Sequence, residues 1–393
     1  MSISVNPLVV GTEAPPIAEA ASWLRPDRFG VDKPLIDVCQ AVPGYPPDEH
    51  LRAFLSDAAR NGDSAFYTGV EGIPEVRAAL AADISTVYGG SVTADGVLIS
   101  SGCNQAFFLT MVALAPAGSS VILPTPWYFN HKMTLDMLGI EAIPLPCSAD
   151  NGMLPDPAMA ASLIRQNTKA IVLVTPNNPT GAVYPKELLR EFLDLAEENG
   201  IALVLDETYR DFLAPDAGAP HDLFSDAGWR DAGLVHLYSF SKVYSLTGYR
   251  AGAVVAAPSF IAEAAKVMDC ISICAPHLSQ RAALFGLENL QDWRCEKRLL
   301  MADRVAAFAT ALDGHNAGYR IRSIGAYFAY VEHPFDDKSA RDVAMGLAQQ
   351  ENLLLLPGSM FGPDQERMLR FAFANVDAAV MPDIAARLSG FGT

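Results

Sequence analysis

One lysine stands in a setting that can change its chemistry. Lys242 lies in the run Ser239-Phe240-Ser241-Lys242-Val243-Tyr244-Ser245-Leu246-Thr247-Gly248-Tyr249-Arg250. A lysine amine is a nucleophile only after it loses its proton, and burial or a neighbouring cation promotes that loss. Two serines sit close before this lysine, and an arginine follows eight residues on. Small hydroxyls with a fixed cation suit a phosphate; the amine suits a carbonyl carbon. Taken alone, the segment also fits a solvated lysine in a polar turn, so the rest of the chain has to decide.

Four other clusters offer matching parts. Ser101-Gly102-Cys103-Asn104-Gln105-Ala106 reads as a turn opening a helix, where backbone N–H groups bind anions. Pro126-Trp127-Tyr128-Phe129 offers aromatic faces to a flat ring. Thr175-Pro176-Asn177-Asn178-Pro179-Thr180-Gly181 stiffens its own backbone and so holds an asparagine amide rigidly. Asp206 ends an apolar run, where an unpaired carboxylate is costly. A protonated pyridine nitrogen would answer it, and Tyr209 could reach the same ring. Each cluster has a plain alternative: a common helix-opening turn, an apolar corner, a tight turn, a helix N-cap. Pyridoxal phosphate, which carries both a phosphate and a carbonyl, would use all of them at once.

The elements that must position these residues are legible as short apolar runs. Residues 97–100, 120–123, 170–174, 201–205, 235–239 and 252–255 read as strands, the second stopped by Pro124 and Pro126. Helical patterns at 104–115 and 185–199 lie between some of them. Such alternation implies a largely parallel sheet covered on both faces. The polar clusters follow strand C-terminal ends, where sheets of this kind take their ligands. From about Phe285 the texture changes. A helix over 293–312 carries Arg294, Lys297, Arg298 and Arg304 at polar positions; then come a strand at 326–331, a helix at 340–351 and a strand at 368–373. The proline-rich start is expected to run over the surface and join this part.

Bulk properties bound the reading. Half of the 393 residues are hydrophobic and 19% are charged, as in ordinary globular proteins, and the length suggests two domains. The net charge of 28 − 45 = −17 argues against nucleic acid or an anionic membrane surface as the main partner. Six scattered cysteines form no metal-ligand pattern; Cys270 and Cys274 read as core thiols. The N-terminus lacks a basic stretch followed by an apolar core, and no apolar run reaches bilayer length, so a reducing cytoplasm is expected.

Together these segments resemble the class I/II aminotransferases, fold type I enzymes that use pyridoxal 5′-phosphate. The matching pieces are Asn-Pro-Thr-Gly at 178–181, Asp-x-x-Tyr at 206–209, Ser-x-Ser-Lys at 239–242 and Gly-x-Arg at 248–250. Tyr67-Thr68-Gly69-Val70-Glu71-Gly72-Ile73-Pro74 and Leu369-Arg370-Phe371-Ala372-Phe373-Ala374 add two more, in family order over residues 36–374. The resemblance implies an α/β fold: a large cofactor-binding domain over 46–285, with a mostly parallel sheet sandwiched by helices, and a smaller α+β domain from 1–45 and 286–393.

It also implies roles. Lys242 would form the internal aldimine, a Schiff base with the cofactor, and Asp206 would pair with the pyridinium nitrogen. Asn178 and Tyr209 would bond the ring's phenolate oxygen and Tyr128 would stack on its face, in preference to Trp127. Gly102, the N–H groups of Cys103 and Asn104, Ser239, Ser241 and Arg250 would hold the phosphate. Tyr67 would reach the partner subunit's phosphate, which implies a homodimer with shared sites. Arg370 would grip the substrate carboxylate, with Asn178 and the backbone at Ala41 beside it. No metal enters. An L-amino acid would surrender its amino group and a 2-oxo acid would receive it, by ping-pong kinetics.

Three features qualify that picture. Ala41 stands where the family usually has glycine. The stretch Met268-Asp269-Cys270-Ile271-Ser272-Ile273-Cys274 lacks the arginine by which dicarboxylate enzymes hold a second carboxylate, so aspartate is not expected as the main substrate. The same site parts would also serve a C–S β-eliminating lyase, the rival reading. A regulatory protein built on this domain is disfavoured: the first 35 residues are short and contain only Arg25, Arg28 and Lys33 as cations.

Overall fold

β-Branched and leucine-rich runs, buried along their whole length, build a seven-stranded sheet. The computed structural model describes residues 3–225, 228–314 and 318–391; the outermost ends of the expected small domain, 1–2 and 392–393, lie outside them. After a two-residue strand, β1 (Ile36–Asp37), the sheet strands are β2 (Val97–Ser100), β3 (Ser120–Thr125), β4 (Glu141–Pro146), β5 (Thr168–Val174), β6 (Ala202–Asp206), β7 (Leu234–Ser239) and β8 (Gly252–Val255). Their order is β2-β8-β7-β6-β5-β3-β4. The pairs from β7 through β4 are parallel, while β8 runs antiparallel to both its neighbours. The helix Cys103–Leu114 packs on β7 and β8, and the helix Lys186–Glu198 packs on β5 and β6.

A second core surrounds a smaller antiparallel sheet. Here β9 (Arg320–Gly325), β10 (Phe328–Glu332), β12 (Leu356–Pro357) and β13 (Met368–Ala372) take the order β12-β13-β10-β9. β11 (Leu353–Leu354) pairs in parallel with β1, which ties the N-terminal segment to this region. Trp23, Ile36 and Val38 pack with Phe308, Leu369 and Phe371 in the same apolar cluster. No helix among the described residues is long and apolar enough to cross a membrane.

Several details differ from the sequence expectation. Pro124 does not stop β3, which continues to Thr125. Past Ile122 the strand pairs only with β4, so an absent N–H is tolerated. β4 itself was not anticipated: Pro144 and Pro146 mask an edge strand, where proline is allowed. The run 326–331 is not one strand, because Ala326 has a φ of 45° and turns the chain between β9 and β10. Arg304 is not on a polar face. It is buried, donating to the Ala374 carbonyl and pairing with Asp377 at 3.0 Å, because the C-terminal segment covers that side of the helix Gln291–Asp313. Nor are Cys270 and Cys274 core thiols. Cys270 is exposed and Cys274 half-buried, at and just past the last turn of the helix Pro258–Ser272, beside exposed Ile271 and Ile273.

The two sheets meet at a glycine. Gly181 has a φ of 75°, and a β-carbon there would lie 2.5 Å from Gly325 N and 2.5 Å from Phe328 O. Backbone therefore touches backbone between the turn after β5 and the β9–β10 hairpin. Gly181→Ala should cost about 2–4 kcal/mol, from overpacking plus the left-handed conformation. Denaturant unfolding checks this; an unchanged midpoint would show that the turn moves aside freely.

Candidate active site

β6 delivers a carboxylate to the C-terminal edge of the sheet. Asp206, 3% exposed, has each oxygen engaged. Oδ1 accepts from Thr208 N at 3.0 Å and Thr208 Oγ1 at 2.7 Å, and His131 Nε2 lies 3.2 Å from Oδ2. Burial pushes this carboxyl up, but His131 and Thr208 outweigh it and hold the group below its ordinary range. So Asp206 takes a backbone N–H, as a capping residue does, and also faces a cavity. His131 is fixed by stacking on Phe107, with ring centroids 3.9 Å apart.

β7 delivers the lysine. Ser239 caps the short helix Phe240–Val243, its Oγ accepting from Ser241 N at 3.2 Å. Lys242 Nζ donates to the Ala41 carbonyl at 2.5 Å and lies 6.0 Å from the Tyr209 ring centroid. Burial, then the positive charges of Arg250 and Arg370, bring its pKa down to about 8. Proton exchange at this amine therefore falls near neutral pH.

An anion cup lies at one end. Gly102, at a φ of 87°, turns the chain into the helix Cys103–Leu114. The N–H groups of Gln105 and Ala106 return to the Gly102 carbonyl. Those ahead of them, on Cys103 and Asn104, are the ones a bound anion can take. Arg250 Nη1 donates to Thr247 O at 2.9 Å, and a β-carbon at Gly102 would run into the Arg250 guanidinium.

The opposite end is held by Arg370, on β13 and 1% exposed. Nη1 donates to Asn178 Oδ1 at 3.1 Å and Nη2 to the Cys39 carbonyl. Its Nε is buried with no hydrogen-bond partner among the described residues. Between the ends, Tyr128 OH donates to Asn104 Oδ1 at 3.4 Å, and Tyr209 packs edge-on against Phe328.

These groups enclose a cavity of about 360 Å³. All the expected site residues line it except two. Gly102 sits behind the Arg250 guanidinium, and Tyr67, 75% exposed, lies outside. Pro15, Ile17, Phe129, Thr208 and Thr247 also line it, and His131 acts on it through Asp206; none was singled out in the sequence. One signal for His131 existed: it follows Tyr128 by three residues on a helical pattern, hence one turn on and on the same side. The donor set fits pyridoxal phosphate, with an anion cup, a charged carboxylate, an amine of lowered pKa and an amide–phenol pair.

The amine gives a pH signature. In cofactor-free protein, reaction of Lys242 with added pyridoxal phosphate should speed up about tenfold per pH unit below pH 8 and level off above it, because only the neutral amine attacks. Visible absorbance follows the reaction. A rate still climbing at pH 10 would mean an ordinary, solvated lysine.

Comparison with known proteins agrees over almost the whole chain. A family model described as aminotransferase class I and II matches residues 33–388. The aromatic aminotransferase ISS1 of Arabidopsis thaliana is 26% identical over 96% of this chain and 94% of its own length. The valine–pyruvate aminotransferase of Mycobacterium tuberculosis is 32% identical over 69% of this chain and 68% of its own. Among solved structures, the aspartate aminotransferase of Thermus thermophilus with maleate superposes with a TM-score of 0.88 at 25% identity, covering 99% of this chain and 100% of that one. The C–S lyase reading is not favoured by these relatives. The chain belongs to the class I and II aminotransferases, fold type I enzymes that transfer amino groups between amino and 2-oxo acids with pyridoxal 5′-phosphate.

Proposed function

We propose that Lys242 joins the cofactor covalently and moves the substrate's α-proton, and that its neighbours' roles follow from their places around it. What carries this reading is the convergence of Lys242 Nζ, the Asp206 carboxylate and the Arg370 guanidinium, from three distant segments, on one cavity. Pyridoxal phosphate, when bound, supplies an aldehyde that captures amino groups and a ring that draws electrons from the substrate's α-carbon. Asp206 places a fixed negative charge opposite the ring nitrogen. Asn178 and Tyr209 donate to the ring oxygen, and Tyr128 covers a ring face. Ser239, Ser241, Arg250 and the N–H groups of Cys103 and Asn104 hold the phosphate. Arg370 turns the remaining N–H groups of its two Nη atoms to the α-carboxylate, a two-point grip that sets the α-hydrogen toward Lys242 Nζ. That nitrogen, freed from the Ala41 carbonyl, takes the proton and returns it.

The working unit in this reading is a homodimer, with Tyr67 at the partner's phosphate end. Phe66, Tyr67, Ile271 and Ile273 are all exposed. Gln105, in the first turn of the helix that opens at the anion cup, donates Nε2 to Ser272 Oγ at 3.2 Å, and Gln280 Nε2 donates to Thr68 Oγ1 at 3.0 Å. A division into two domains, 46–285 and the remainder, draws support from there being two apolar clusters, although Phe129, Tyr209 and Phe212 pack with the second and Leu287, Tyr330 and Met368 with the first. Six unpaired cysteines agree with a reducing cytoplasm.

The named relatives act on different amino acids, so the donor rests on this chain's own cavity. We infer an uncharged donor side chain: the three lining cations, Lys242, Arg250 and Arg370, are each committed, and apolar Pro15, Ile17, Val42 and Phe129 stand with neutral Gln40 and Asn130 in the rest of the wall. The test adds single amino acids to the loaded enzyme without oxo acid and follows loss of the visible band. Valine, methionine or phenylalanine should bleach it at least about tenfold faster than aspartate, the effect of one or two unmatched methylene-sized or charged contacts. Faster bleaching by aspartate would sink the donor reading alone. Lys242→Ala should lack the band and lose about 10²- to 10⁴-fold in turnover. A folded variant that kept either would defeat the assignment of the lysine.

A further inference from the structure

We propose that Glu207, whose side chain never enters the cavity, is a positioning residue that pins the chain between Asp206 and Tyr209 and so fixes how both face the cofactor. The inference rests on the roles given above to those two residues.

The geometry is a buried clamp on the far side of β6. Glu207 is 1% exposed, and its Oε2 receives three donors from three separate segments. Tyr88 OH comes from the end of the helix Pro74–Tyr88, His236 Nε2 from β7 at 2.9 Å, and His221 Nε2 from the loop beyond residue 213 at 3.1 Å. Leu223 N donates to His221 Nδ1 at 3.1 Å, so Nε2 of that ring carries the hydrogen. His236 Nδ1 is buried with no partner among the described residues, which leaves its Nε2 as the donor. Tyr88 stacks on the His221 ring, so two of the donors also fix each other.

Successive residues then divide their labour. Asp206, Thr208 and Tyr209 line the cavity, while Glu207, Arg210 and Asp211 turn away from it. Arg210 lies over the Tyr238 ring at 4.0 Å and pairs with Asp83, and Arg294 links Asp83 at 2.6 Å to Asp211 at 2.7 Å. Glu207 N donates to the Leu237 carbonyl, and its own carbonyl accepts from Arg210 N. A three-donor carboxylate placed between Asp206 and Tyr209 leaves that chain no room to rotate. The cavity-side partners of Asp206, Thr208 and His131, set its charge; Glu207 sets its depth.

Glu207→Ala and Glu207→Gln, each prepared with and without pyridoxal phosphate, test this. Glu207→Gln keeps an acceptor oxygen for the three donors, whereas Glu207→Ala removes the clamp. Glu207→Ala should raise the dissociation constant of the cofactor, read by titrating the cofactor-free protein, and lower kcat, each by about tenfold or more, the scale of a misplacement well under 1 Å. KM for the amino acid should change less than about threefold, because Arg370 stands on a different element, and Glu207→Gln should restore both quantities to within about threefold. If Glu207→Ala does not fold, Tyr88→Phe, which deletes one donor at constant volume, should still weaken cofactor binding about two- to fivefold. A lowered melting temperature with unchanged cofactor affinity and visible band would reduce Glu207 to a structural residue. Equal damage from Ala and Gln would make its charge, not its position, the cause. Absence of any cofactor band in the unaltered enzyme would instead defeat the proposed function itself.

Discussion

Asp206 has to remain ionised where almost none of its surface meets water. An isolated carboxylate at such depth would take up a proton. The chain prevents this with means local to the strand end. Thr208 supplies a backbone and a side-chain donor to one oxygen, and His131 engages the other. With both oxygens engaged, the plane of the carboxylate is fixed as well as its charge. The ring that does this, His131, stacks on Phe107 and meets Tyr128 edge-on. The aromatic wall of the cavity and the charge at its floor are therefore one assembly. A change in Tyr128 or Phe107 would be felt at Asp206 even if it left the apolar wall intact.

The cavity takes walls from both apolar cores, Cys103 from one and Phe129 and Tyr209 from the other. It lies where the C-terminal edge of the large sheet meets the small one, and side chains that line it also bridge the two. Lys242 follows β7 but bonds the carbonyl of Ala41, four residues beyond the end of β1, which pairs with β11. Arg370 sits on β13 but bonds Asn178 and the Cys39 carbonyl. Gly181 and Gly325 let the backbones touch beside them. The distance between the amine and the guanidinium is thus set by how the sheets dock, not by either sheet alone. In the proposed reading, a substrate held at its carboxylate by one and deprotonated by the other would feel that docking directly.

Much of this was legible in the sequence, for definite reasons. Buried parallel strands are nearly continuous apolar runs, so β2, β5, β6, β7 and β8 were found within two residues of their ends. β4 escaped because proline at an edge looks like a stop, and β9 because its residues are only half-buried and lack a clean alternation. The cavity-facing residues were legible because chemistry constrains their type and spacing. The residues that support them were not. His131 meets Asp206, and Glu207 meets His221 and His236, only through packing between distant segments, and a histidine on an apolar strand or a glutamate beside an aspartate carries no local sign of its partner. Arg304 failed for the same reason: charge suggested an exposed face, and only the fold showed the carbonyl it was covering.

In a chain of net charge −17, three cations still gather around one cavity. Arg250 and Arg370 stand at the two ends of the cavity, and both weigh on Lys242, after burial, in lowering its pKa to about 8. The effect has a direction. A positive charge disfavours the protonated amine, so an anion paired with either arginine cancels part of that repulsion and raises the proton affinity of Nζ. A phosphate at Arg250 and a carboxylate at Arg370 would each do so. With Arg370 uncompensated the lysine gives up its proton more readily, which would favour attack on the cofactor's carbonyl. With both arginines compensated it holds a proton better, which favours removing one from carbon. In the reading proposed above, one amine would serve as nucleophile and then as base without moving to a new environment, because its ligands would change the charge around it.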